Sequence, residues 1–140
     1  MYSALKYSTP TMSHVIPSQG RGGLCAVTTL GDDVFVVRGN SQQQVEVHDA
    51  VTLTLQRHIT VRGLGRNPCG LTACPNNNCL HMSDWSSNIH RVQLSSSNAV
   101  KKWSVTSSPA GLSVNVAQNL VVVCYMERTH CRSIQRTDLL

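Results

Sequence analysis

Apolar and polar positions in this chain alternate in short runs instead of recurring at helical spacing. Three stretches share one arrangement: a Gly-Leu pair, a short apolar stretch, a polar turn and a second apolar stretch. They are GLCAVTTLGDDVFVV from Gly23, GLTACPNNNCLHMSD from Gly70 and GLSVNVAQNLVVVCY from Gly111. In each copy a polar turn (Leu30 to Asp33, Pro75 to Asn78, Ala117 to Asn119) separates two apolar strands, as a β-hairpin requires. The first two hairpins are followed by an alternating strand, QVEVHD from Gln44 and IHRVQL from Ile89. A fourth segment comes next, LTLQRHITV from Leu53 and AVKKWSV from Ala99. Each unit therefore predicts four antiparallel strands, a to d, in roughly 40 to 47 residues, the size of one β-propeller blade.

The predicted fold class is all-β, with blades over residues 20–66, 67–109 and 110–140. The third blade stops within its strand c, at HCRSIQRTDLL. Residues 1–19 carry no repeat signal and read as a polar, loosely ordered lead-in. Closed propellers have about 4 to 8 blades, so two full blades and part of a third make an incomplete ring. A segment of a larger propeller is the favoured reading, ahead of closure by oligomerisation or a persistent open wedge.

The second blade, GLTACPNNNCLHMSDWSSNIHRVQL, resembles an NHL repeat. The likeness rests on Gly70, Leu71, Leu80, Ser83, Asp84, Asn88, His90, Arg91, Val92 and Gln93, with Ile89 interrupting the Asn-His pair. Blade 1 departs from the pattern with Val37 and Arg38 where Ser-Asp would fall, and blade 3 has Tyr125 and Met126 there. The resemblance implies a six- or seven-bladed propeller used mainly to bind proteins, sometimes RNA, and rarely to catalyse.

Composition narrows the class further. The chain has 140 residues, 41% of them hydrophobic and 14% charged, with nine Gly and five Pro, which excludes collagen-like and fully disordered classes. It favours Val, Ser and Thr over Ala, Glu and Lys, a balance suited to strands. The longest apolar run, Leu120 to Met126, is far short of the roughly 20 residues that span a bilayer, so no membrane partner is expected. The N-terminal stretch lacks a basic region and an apolar core of a secretory signal. A cytoplasmic location follows as the expectation, and the six Cys should remain thiols there.

The densest chemical cluster is Cys69, Cys74, Cys79 and His81. With Pro75 to Asn78 as the turn, Cys74 and Cys79 face each other, and the period-2 rule puts His81 on the face of Cys79. The spacing departs from usual zinc pairs and no fourth ligand is evident, so these residues read as apolar fillers, with a cross-strand disulfide or a metal as lesser alternatives. Asp32-Asp33, the only close carboxylate pair, sits in a turn. There is no nucleophile elbow or phosphate-binding glycine pattern, and GLGRNPCG from Gly63 reads as a connection between blades. No cofactor and no catalytic residue is expected.

Placement of charge says more than the net +5. In a propeller the b-to-c and d-to-a loops share one face. This puts Arg38, Trp85 and Arg128 in equivalent b-to-c loops, with Arg21 and Arg66 near d-to-a connections. Arg and Trp are enriched in binding hot spots, so this rim is the expected protein-binding face, with RNA as the alternative partner. Lys101, Lys102, Arg57 and Arg62 fall on outer d strands, where charge discourages edge pairing. Trp103 is expected to pack between blades, and His48 and His90 to be hydrogen-bonded structural histidines.

Overall fold

Runs that alternate with a period of two bury one face of a pleated strand, and pairing then satisfies their backbone groups. The computed structural model describes residues 23–39, 43–95, 97–105, 108–124 and 134–137, and among these there are strands but no helix. The first sheet contains β1 (Leu24–Leu30), β2 (Asp33–Arg38), β3 (Gln44–Asp49) and β4 (Leu55–Thr60), antiparallel and in chain order. The second repeats this order with β5 (Pro68–Cys74), β6 (Cys79–Asp84), β7 (Asn88–Gln93) and β8 (Val100–Ser104). The third contains β9 (Pro109–Val114), β10 (Leu120–Cys124) and β11 (Ile134–Thr137). Strand β1 packs on β5, and β5 on β9, so the sheets stack face to face with their first strands side by side.

Pairing corrects two alignments that the repeat suggests. Leu71 pairs with Met82, and Val27 pairs with the equivalent Val36, so Ala26 stands where Gly70 stands, and Gly23 does not. At Gly70 itself the need for glycine is steric. A Cβ at Gly70 would lie 2.5 Å from Ser83 Oγ and 3.2 Å from Leu112 Cγ, whereas one at Gly23 would meet nothing within 4 Å. In the third hairpin Val114 pairs with Leu120, so Val114 is the counterpart of Cys74, and the loop that follows starts at Asn115. Each first strand also carries a bulge, with Cys25, Cys69 and Ala110 the unpaired extra residues, at the same place in the first two blades and one pair nearer the hairpin in the third.

The main core lies between the first two sheets. Phe35, Val37, Val45, Val47, Ile59 and Val61 on one side meet Leu71, Leu80, Met82 and Val92 on the other. Fully burying each such side chain contributes about 1.5–3 kcal/mol. A smaller cluster joins the second and third sheets, where Ile89 and Trp103 meet Leu112, Val114, Leu120 and Val122. Trp103 thus packs between blades, as its alternation with Lys102 and Ser104 predicts. With Leu80 and Met82 turned to the first sheet, alternation turns Cys79, His81 and Ser83 to the third, which makes the second interface far more polar.

Candidate interaction face

At the end of the second strand in each of the first two sheets a charged side chain is buried and paired. Arg38 ends β2, is 8% exposed, and bonds Glu46 through Nε at 2.6 Å and Nη2 at 3.2 Å. His48 adds a contact to Glu46 at 2.9 Å and is 4% exposed. Burial pushes the Glu46 carboxyl up, but the bonds from Arg38 and His48 outweigh it and hold the group below its ordinary value.

Asp84 ends β6 in the same way and is 1% exposed. Its Oδ2 accepts from the Gly65 amide at 2.7 Å and lies 2.9 Å from His90 Nε2, while its Oδ1 accepts from the Ser86 amide at 2.9 Å and from the Ser86 hydroxyl. Burial raises this carboxyl, and the bonds from Ser86, Gly65 and His90 more than reverse that, leaving it below its usual range. One side chain thereby ties together the end of β6, the β6–β7 turn, strand β7 and the connection entering β5. His48 and His90 are both buried and hydrogen-bonded, in agreement with the structural role expected of them.

This geometry revises the predicted rim. Arg38 is not a loop residue: it is the counterpart of Asp84, and its guanidinium is committed to Glu46 beneath the surface. Trp85, in contrast, leaves Asp84 at the start of the β6–β7 turn and is 54% exposed. The Gly65 amide pins the β4–β5 connection beside it, with Arg66 exposed on that connection. Ser108, at the entrance to β9, donates to the Trp85 carbonyl at 3.3 Å. Asp84 thus links the turn that bears Trp85 to the connection that bears Arg66, and both side chains are exposed. Arg21, Arg128 and the lead-in 1–19 lie outside the described residues, as do Tyr125, Met126 and Cys131.

Cys74 and Cys79 pair directly across the hairpin, both buried thiols. Cys74 Sγ lies 3.6 Å from Gln118 Oε1 and from Asn77 Nδ2. Burial pushes the Cys79 thiol up, with Arg91 acting in the opposite direction. His81 is fully buried and meets Trp103 edge-on, ring centroids 5.9 Å apart. Neither His81 ring nitrogen has a hydrogen-bond partner among the described residues. Burial first, and then the charge of Arg91, depress its pKa to about 4. Among the described residues no group of three or more His, Cys, Asp or Glu is arranged to hold a metal, so Cys74, Cys79 and His81 do not converge as ligands.

Exposed apolar tips on other loops escaped the sequence pattern. Val51 is 81% exposed in the β3–β4 turn, and Val116 is fully exposed in the β9–β10 loop. Both lie in turns, where no strand period marks them. Among the described residues no helix is long and apolar enough to cross a membrane.

Successive four-stranded antiparallel sheets, stacked face to face with first strands innermost, define an incomplete β-propeller of two blades and part of a third. Comparison with solved structures bears this out. The chain is similar to hydrazine synthase of Kuenenia stuttgartiensis, with a TM-score of 0.63 and 18% identity over 82% of this chain and 33% of that one. It is similar also to the β-propeller domain of Cps50 (Swd1) from Myceliophteria thermophila, with a TM-score of 0.62 and 15% identity over 81% and 35% of the two chains. The chain spans about a third of the length of each of these structures. No protein-family model and no curated protein matches the sequence.

Proposed function

We propose that the chain is a non-catalytic propeller segment that binds a protein partner through the face bearing Trp85 and Arg66. The observation that carries this reading is Trp85 itself, a large apolar side chain 54% exposed on a turn whose base is locked by buried Asp84. A rigid aromatic beside a planar cation is the composition of a binding hot spot. The likeness of blade 2 to an NHL repeat belongs to the same proposal: Asp84 and His90 of that motif act as framework under the face. The Swd1 β-propeller domain supports it at the level of fold alone.

The test is recovery of crosslinked partners by wild type and by a Trp85→Ala, Arg66→Ala double variant. A hot spot of this kind contributes about 2 kcal/mol or more, a loss of recovery well beyond tenfold. Equal recovery by both proteins would remove the proposed face. Titration with single-stranded RNA at low and high salt separates the alternative, because phosphate contacts make affinity fall steeply with salt.

A further inference from the structure

A groove of about 630 Å³ opens between the outer strands of the first two blades, lined by His58, Thr60, Arg62, Ser97, Asn98 and Lys102 among others. Strands β4 and β8 end their sheets, with no further strand paired to them among the described residues. Alternation of the backbone shows which groups remain open. The Val61 amide bonds Gln43 O at 2.7 Å, so Val61 and Ile59 turn their backbone groups toward β3, and His58 and Thr60 turn theirs outward. On β8, the Ala99 carbonyl accepts from the Gln93 amide and the Val105 amide bonds Ser87 O, both at 2.9 Å, which turns Val100 and Lys102 outward. The residues whose backbone faces outward are the ones that line the groove.

The charge there has one sign. Arg62 and Lys102 are exposed, and the lining residues include no carboxylate. Arg57 stands apart, 3.9 Å from Asp33 on another side of the blade edge. Positive charge on an open edge repels a second copy of the same edge, which guards against self-association. The same charge admits a strand of opposite sign.

We propose that this groove docks an extended acidic peptide, which adds to β4 as a fifth strand and lays its carboxylates against Arg62, Lys102 and His58. The amides and carbonyls of His58 and Thr60 supply the main-chain bonds, and the basic side chains supply selectivity, the division of labour usual in strand addition. The site is separate from the Trp85 face and rests on the fold alone.

The test uses the whole chain and a fluorescent octapeptide of alternating Glu and Val, read by anisotropy. Binding is expected to weaken about tenfold or more in an Arg62→Glu, Lys102→Glu variant, and by a similar factor when the peptide is N-methylated on alternate residues. Amide hydrogen exchange at His58 and Thr60 is expected to slow on peptide addition. The peptide-side changes keep the result interpretable should the variant fold poorly. Equal binding of a Lys-Val octapeptide, unchanged exchange at His58 and Thr60, or undiminished binding of the N-methylated peptide would each overturn the proposal. So would an oligouridylate that binds as tightly with the same dependence on Arg62 and Lys102, since the groove would then be a general polyanion site.

Discussion

Arg38 and Asp84 occupy the same place in successive blades and carry opposite charges. Each ends the second strand of its sheet, each is under a tenth exposed, and each pairs with the residue at one register position of the third strand, Glu46 in one case and His90 in the other. Both of the first two blades thus hold a buried, paired ion at this position, with opposite polarity. What differs is the third partner, because only Asp84 also accepts the Gly65 amide at 2.7 Å.

Replacing Asp84 by Asn keeps shape but removes the charge that groups of three residues, Gly65, Ser86 and His90, share. Breaking a buried pair in this way costs about 3 kcal/mol, to be read from urea unfolding midpoints. Transplanting the blade 1 pair as Asp84→Arg, His90→Glu should not recover the loss, since the Gly65 amide would lose its acceptor. A transplant that unfolds with wild type would refute the account. The depressed Asp84 carboxyl contributes stability that is present above its ordinary value of 3.8 and lost as pH falls through the lower folded value.

His81 predicts acid sensitivity in a higher window. Its pKa falls from 6.5 to about 4 on folding, so above 6.5 the ring is neutral in both states. Below that the unfolded chain takes up the proton first, and stability declines toward pH 4 by ~3 kcal/mol in all. Phe35 holds the equivalent position in blade 1. A His81→Phe variant should therefore lose this slope, seen as a wild-type minus variant difference in unfolding free energy that shrinks between pH 6.5 and 4. A constant difference across that range would show that His81 is not the group responsible.

Gly70 separates a steric requirement from a repeat signature. With a Cβ 2.5 Å from Ser83 Oγ and 3.4 Å from the Leu112 amide, Gly70→Ala should destabilise by about 1–3 kcal/mol, whereas Gly23→Ala should be close to neutral. Removing the nearest clash with Ser83→Ala should return part of the loss. Strict additivity of the two substitutions in thermal melts would contradict this contact.

Thiol accessibility gives a fourth expectation. Cys25 is exposed, while Cys74 and Cys79 are fully buried and the Cys79 thiol is pushed up by burial. Brief iodoacetamide treatment of the native chain should label Cys25 and leave Cys74 and Cys79 unmodified until denaturant is added. Labelling of Cys79 at the rate of Cys25 would mean that the hairpin opens readily.

Much of the fold was legible in the pattern of residues. Strands β3, β4 and β8 fall inside the runs named from alternation, β7 starts one residue ahead of its run at Asn88, and the Pro75 to Asn78 turn is found where expected. The same pattern misplaced blade 1, because a Gly-Leu pair at Gly23 looks like the one at Gly70 until strand pairing shows that Ala26 fills that place. Of the predicted face, Trp85 and Arg66 are found on the surface, and Arg38 is not.

Local alternation by itself determined that the chain makes strands, how they group into blades and where the hairpins turn, because the period of two and the turn residues act over a few neighbouring positions. Tertiary structure alone decided the fate of each charge. Arg38 is buried because Glu46 meets it across the sheet, and Trp85 is exposed because Asp84 beside it is tied down by Gly65. The basic groove likewise exists only where the outward edges of β4 and β8 come together. Partners of this kind are brought close by folding, and no spacing along the chain records them.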